Sequence, residues 1–156
     1  MMKTQSIYLD TSVIGGCFDN EFDVWSNALL NDIRLGLFDG VTSEVVEAEI
    51  SEAPKNVREK FLEFLKINPE ILKLDAEAFE LVDIYIQHKI LPEKFRNDML
   101  HIALATIADV DILVSWNFRH IVRYDKIRQF NAVNLQQGYH NLDIYSPREV
   151  TSYEKD

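Results

Sequence analysis

Ser6-Ile7-Tyr8-Leu9-Asp10-Thr11-Ser12 decides the fold, because a short apolar run stops abruptly at three residues that cap helices and shape turns. Residues 5 to 10 therefore read as a buried strand leading directly into a helix. Further along, Trp25, Ala28, Leu29, Ile33 and Leu37 recur at three-to-four spacing, which predicts an amphipathic helix over 23–36 closed by Gly36. Leu37 to Thr42 reads as a second strand, and Ser43 as the N-cap of a helix running through Ser51. Pro54 fits the first turn of the next helix, whose stripe is Val57, Phe61, Phe64 and Leu65 and which ends near Asn68-Pro69. Ile71 to Leu74 is strand-like, and Ala76 to His88 carries Phe79, Leu81, Val82 and Ile86 at helical spacing. Another helix follows Pro92, with Asn97 as the cap of residues 98 to 109. Ile112-Leu113-Val114 is then a strand ending in Ser115-Trp116-Asn117, with Val133-Asn134-Leu135 and Ile144-Tyr145 as later strands. Strands separated by amphipathic helices need crossover connections. The expected class is α/β, a mostly parallel central sheet flanked by helices on both faces.

A chain of 156 residues, 47% hydrophobic and with only five Gly and four Pro, reads as one domain over residues 1–156. Cys17 is the only cysteine, so no internal disulfide can form, and the expected compartment is the cytoplasm. The start has no apolar signal core, and the longest apolar runs, such as Ile102 to Ala108, are too short for a membrane span; no membrane partner is expected. A net charge of −10 repels nucleic acid on average. Against that average, Arg119, Arg123, Lys126 and Arg128 lie with His120 and His140 between Asn117 and Leu142, opposed only by Asp125. Such an excess suits a phosphate backbone, and equally suits a solvated face with cations at helix ends. No glycine-rich phosphate loop is present, which argues against an ATPase or a dehydrogenase.

Three acids stand where packing elements should be apolar: Asp10, Glu49 in Val45-Val46-Glu47-Ala48-Glu49-Ile50, and Asp98 in Asn97-Asp98-Met99-Leu100-His101-Ile102-Ala103. Asp10 and Asn117 end strands, so both belong at the carboxyl edge of a parallel sheet, where ligands bind. Asp98 opens a helix, among orphan N–H groups. Glu49 shares a face with Val45, Val46 and Ile50, whereas Glu47 faces solvent. If the three carboxylates meet, a divalent cation would offset their repulsion and desolvation. Plainer roles exist for each: a helix N-cap for Asp10, a half-exposed helix end for Glu49, a dipole complement for Asp98, a turn for Asn117 and polar filler for His101 and His120.

These segments resemble the PIN-domain family, especially the compact VapC-type toxin ribonucleases of toxin-antitoxin pairs. Ile7-Tyr8-Leu9-Asp10-Thr11-Ser12-Val13-Ile14, Thr42 to Ile50, and Asn97 to Ala105 running on to Asp111 to Ile121 carry the resemblance over nearly the whole chain. It implies a single PIN-like domain hydrolysing RNA phosphodiester bonds with Mg²⁺ or Mn²⁺ to leave 3′-hydroxyl and 5′-phosphate ends. Asp10, Glu49 and Asp98 take the metal positions, with Glu49 also suited to drawing a proton from the attacking water. Asn117 stands where many relatives have a fourth acid, so it would position water or phosphate without adding charge. Arg119, His120 and Arg123 would hold the RNA backbone. A small antitoxin and a homodimer are the implied protein partners, with Phe18, Phe22 and Trp25 as contact candidates. The principal alternative is a catalytically weak PIN-like module that binds RNA or protein. A phosphatase of the Asp-x-Asp type fits poorly because Thr11-Ser12 follows Asp10, and DNA remains open as a substrate because no 2′-hydroxyl contact can be read.

Overall fold

Ile7, Tyr8 and Leu9 are fully buried because their strand, β1 (Ser6–Leu9), is the middle of five. In the computed structural model, which describes residues 3–153, the sheet is entirely parallel with order β3-β2-β1-β4-β5. The other strands are β2 (Asp39–Ser43), β3 (Glu70–Leu72), β4 (Ile112–Val114) and β5 (Asp143–Tyr145). Tyr8 is in register with Val41 on one side and Leu113 on the other. The expected α/β class is therefore observed.

Between β1 and β3 lie α1 (Thr11–Gly16), α2 (Asp23–Arg34), α3 (Glu44–Ser51) and α4 (Lys55–Leu65), with α1 packed on the other three. Between β3 and β5 lie α5 (Ala76–Gln87), a one-turn 3-10 helix (Glu93–Phe95), α6 (Arg96–Ile107) and α7 (Tyr124–Gln136), with α5 packed on α6 and α7. The chain steps from β1 outward to β2 and β3, then crosses back to β4 and β5. Right-handed crossovers in opposite directions put the two helix groups on opposite faces. A short α8 (Pro147–Val150) packs on α2. Among the described residues, no helix is long and apolar enough to cross a membrane.

Several local expectations hold in detail. Ser43 accepts a hydrogen bond from Val46 N and caps α3, and Gly36, at φ +84°, follows the end of α2. Others shift. Pro54 is the N-cap of α4 rather than part of its first turn, and Phe79 is 41% exposed while Ala78 and Tyr85 supply the buried face of α5. Asn97 does not cap α6, which begins at Arg96 after the 3-10 turn, so Asn97 sits inside the first helical turn. Val133-Asn134-Leu135 is not a strand but part of α7. Ile127, Phe130 and Val133 form its inner face at a spacing of three, and the fully buried Asn134 is satisfied by Tyr85 Oη (2.5 Å) and Thr106 Oγ1 (3.2 Å) from α5 and α6. Two apolar residues around one polar residue imitate a strand when the partners of the polar one lie far off in sequence.

Candidate active site

The strand order reverses between β1 and β4, and the place beyond their carboxyl ends is where open parallel sheets take ligands. Asp10 leaves β1 there, 4% exposed, and caps α1 by accepting from Val13 N. Its Oδ1 also accepts from Ser12 Oγ at 2.6 Å, and its Oδ2 from Ser115 Oγ at 2.5 Å. The same two hydroxyls accept from Trp116 N and Asn117 N, both at 2.9 Å, so the segment after β4 is tied to the end of β1.

Glu49 reaches this rim from α3. Its Oε1 accepts from Thr11 Oγ1 at 2.6 Å and lies 2.8 Å from His101 Nε2, while Oε2 has only a long 3.5 Å contact with Asn97 Nδ2. Thr11 adjoins Asp10, and Asn97 and His101 lie four apart on α6, so one carboxylate joins the first and third segments. Glu47 is exposed, as its position implied. His101 is 2% exposed, and its Nδ1 stands 2.7 Å from Tyr8 Oη, which in turn stands 2.7 Å from Ser43 Oγ. With both ring nitrogens protonated, Nε2 donates to Glu49 and Nδ1 to Tyr8, leaving the phenol proton for Ser43. A buried chain Ser43–Tyr8–His101–Glu49 thus links β2, β1, α6 and α3.

Asp98, in the first turn of α6, is one turn from His101 on the same face, and its Oδ2 lies 2.9 Å from His120 Nδ1. The ring of Phe95 packs on His120 with centroids 4.0 Å apart. The Asn117 amide is engaged in its own turn: its Oδ1 accepts from the backbone N–H groups of Arg119 (3.2 Å) and His120 (2.9 Å). The amide shapes the turn that carries these two side chains. The basic segment is less free than its composition suggested. Arg123 pairs with Asp125 at 2.8 Å, Lys126 donates to Ile90 O, Arg128 leans on Tyr124, and His140 lies against Asp109. Arg119 is exposed, and among the described residues its guanidinium has no partner.

The electrostatics follow from this crowding. Burial pushes His101 toward its neutral form, but the bond to Glu49 and the charges of Asp10, Glu49 and Asp98 outweigh it and raise its pKa. All three acids therefore act on one imidazole. Burial raises the Asp10 carboxyl above its usual range despite His101, Ser115 and Ser12. Burial also works against ionised Glu49, yet His101, Thr11 and Asn97 hold its pKa below the ordinary value. The Tyr8 phenol is pushed up chiefly by burial, so it stays neutral and acts only as a hydrogen-bond bridge.

Oxygen donors on Asp10, Glu49 and Asp98 have the chemistry that Mg²⁺ or Mn²⁺ takes. Among the described residues, however, no three His, Cys, Asp or Glu side chains stand close enough to hold an ion as they are. Each carboxylate is held by serines, a threonine or a histidine, and these contacts must loosen for the oxygens to converge. Sequence reasoning passed over His101 and Tyr8. Their signal was present, since His101 lies at i+3 from Asp98 and Tyr8 two residues before Asp10, but a histidine in an apolar helix and a tyrosine in a buried strand both look like packing. The sequence matches no family model and no curated protein.

Proposed function

We propose that the protein is a metal-dependent endoribonuclease of the PIN-like type, acting as the toxin of a toxin-antitoxin pair. The observation that carries this reading is three carboxylates on the elements that meet at the switch point of a parallel sheet: Asp10 at the end of β1, Glu49 on α3 bonded to Thr11 and His101, and Asp98 three residues before His101 on α6. Asp10 and Asp98, with Glu49, would hold Mg²⁺ or Mn²⁺, which supplies charge neutralisation on the phosphate and a more acidic water. Glu49 is the proton acceptor. Its Oε1 is engaged by Thr11 and His101, which leaves Oε2 to take a proton from the attacking water. His101 fixes the carboxylate plane and keeps Glu49 ionised. Ser12 and Ser115 orient Asp10, Asn117 shapes the turn that presents Arg119, and the free Arg119 guanidinium binds the RNA phosphate. Arg123 and His120 are committed to Asp125 and Asp98, so they contribute to phosphate binding only if those contacts open.

The rival reading is a PIN-like module that binds RNA or protein without cutting. The internally satisfied carboxylates and the engagement of the Asn117 amide in its own turn favour it. Calorimetric titration with Mn²⁺, paired with cleavage of a labelled single-stranded RNA, separates the two. The nuclease reading expects saturable uptake and metal-dependent cutting, with Asp98→Asn weakening uptake by more than about tenfold and abolishing cutting. If the wild type takes up no Mn²⁺ and Asp98→Asn changes nothing, the binding module is the better description.

A further inference from the structure

Phe118 is 49% exposed, immediately after the segment that hydrogen-bonds to Asp10. A single exposed phenylalanine needs no explanation by itself. This one is built in. Phe22 stacks on Trp116 with centroids 4.1 Å apart, and the Phe118 ring makes a T-shaped pair with Trp116 at 6.1 Å and a tilted one with Phe22 at 6.4 Å. Trp116 is itself fixed by its Nε1 donating to Ser26 Oγ at 2.8 Å, and Gly16 permits that approach, since a Cβ there would sit 2.7 Å from the indole nitrogen. The turn beneath Phe118 is closed by Asn117, whose Oδ1 and backbone oxygen accept from the four residues Arg119 to Val122. The ring is therefore half-exposed yet held by two neighbouring aromatics on a closed turn, and it needs little ordering on binding.

We propose that Phe118 is a stacking platform for an unpaired nucleobase of a single-stranded RNA, with Arg119 gripping the adjoining phosphate. The proposal rests on the nuclease reading for the strand's chemistry and adds the residue that seats a base next to the cut. Phe118 lies three positions after Ser115, which is bonded to Asp10, a reach of at most about 11 Å along the chain, so platform and carboxylates serve the same short stretch of strand. Charge selects the occupant. On a chain of net charge −10, an exposed aromatic beside an unpaired guanidinium complements a base and its phosphate, and stacking tolerates any base because every base has a π-face.

The test measures fluorescence anisotropy of a short labelled single-stranded oligoribonucleotide in chelator, so that no cutting occurs, with Mn²⁺-dependent cleavage measured separately. Phe118→Ala should weaken binding about tenfold, whereas Phe118→Tyr should stay within about twofold of wild type. An otherwise identical abasic oligonucleotide should bind wild type and Phe118→Ala alike, and Arg119→Gln should flatten the salt dependence. Unchanged affinity in Phe118→Ala, or no binding by wild type, overturns the platform. So does a Phe118→Ala effect confined to self-association in sedimentation, which would make the ring a contact between copies. Binding that depends on Phe118 without cleavage keeps the platform and removes the nuclease; cleavage indifferent to Phe118 does the reverse.

Discussion

Replacing Tyr8 by Phe deletes one oxygen from the centre of the molecule and tests whether the Ser43–Tyr8–His101–Glu49 chain is a coupled unit. The phenol is fully buried and makes two contacts of 2.7 Å, to Ser43 Oγ and His101 Nδ1. Each is worth about 0.5–1.5 kcal/mol net, and a bare His101 Nδ1 adds a desolvation cost, so Tyr8→Phe should lose about 2–4 kcal/mol. For a chain of this length that is roughly 5–15 °C in Tm. Ser43→Ala removes the same contact and also the α3 cap on Val46 N, for about 2 kcal/mol. Because the two variants share one lost bond, the double variant should fall short of their sum by about 1 kcal/mol. Urea unfolding followed by linear extrapolation, with unchanged m, measures all three. A loss under about 0.5 kcal/mol for Tyr8→Phe, or additivity within about 0.3 kcal/mol, would refute the coupled chain.

Stability should depend on pH through His101 and Glu49. The raised His101 pKa contributes stability that is full below its ordinary 6.5 and lost as pH rises through the folded value, while the lowered Glu49 pKa contributes above its ordinary 4.5 and is lost as pH falls. Asp10, raised by burial, adds a loss that begins above its ordinary 3.8, and because His101 opposes that rise the loss is larger in a variant that lacks the imidazole. Urea midpoints should therefore decline on the alkaline side of the His101–Glu49 window, and His101→Gln should flatten that limb; an identical limb in the variant refutes the assignment. Asp32 is 4% exposed and accepts from Thr151 Oγ1 (2.8 Å), Ser152 N (2.9 Å) and Ser152 Oγ (2.6 Å), so Asp32→Ala should cost about 2–3 kcal/mol and speed hydrogen exchange in α8. Asn117→Ala should cost about 1 kcal/mol through the loss of its two side-chain turn bonds, whereas Asn117→Asp, which keeps an acceptor, should unfold like wild type in urea.

The strand and helix order was legible because the chain punctuates itself locally. Asp10, Ser43 and Asp75 each accept from the N–H three residues on, and Gly36 supplies a positive φ where α2 stops. Where reading failed on Val133 to Leu135, the deciding partners were distant in sequence, since Asn134 belongs to a helix because Tyr85 and Thr106 receive it; Asn97 lost its capping role locally, to a 3-10 turn that starts α6 two residues earlier than expected. The acids were legible as misfits in apolar segments. Their partners were not, because Tyr8 and His101 are ordinary occupants of a buried strand and a buried helix until the sheet brings them within 2.7 Å.

The nature of those partners bears on function. Three acids along one rim need countercharge, and lysine or arginine would supply it permanently. Among the described residues, none of Asp10, Glu49 and Asp98 pairs with either. Glu49 and Asp98 meet His101 and His120 instead, and Asp10 meets hydroxyls. An imidazole, unlike a guanidinium, carries no permanent charge, and a hydroxyl can turn from donor to acceptor at little cost. A fold that needed these carboxylates only for stability would gain more from a fixed guanidinium, whose charge is never lost. Under the proposed nuclease function, these exchangeable partners would give way to a divalent cation and the phosphate it neutralises, a single occupant that would account for all three acids at once.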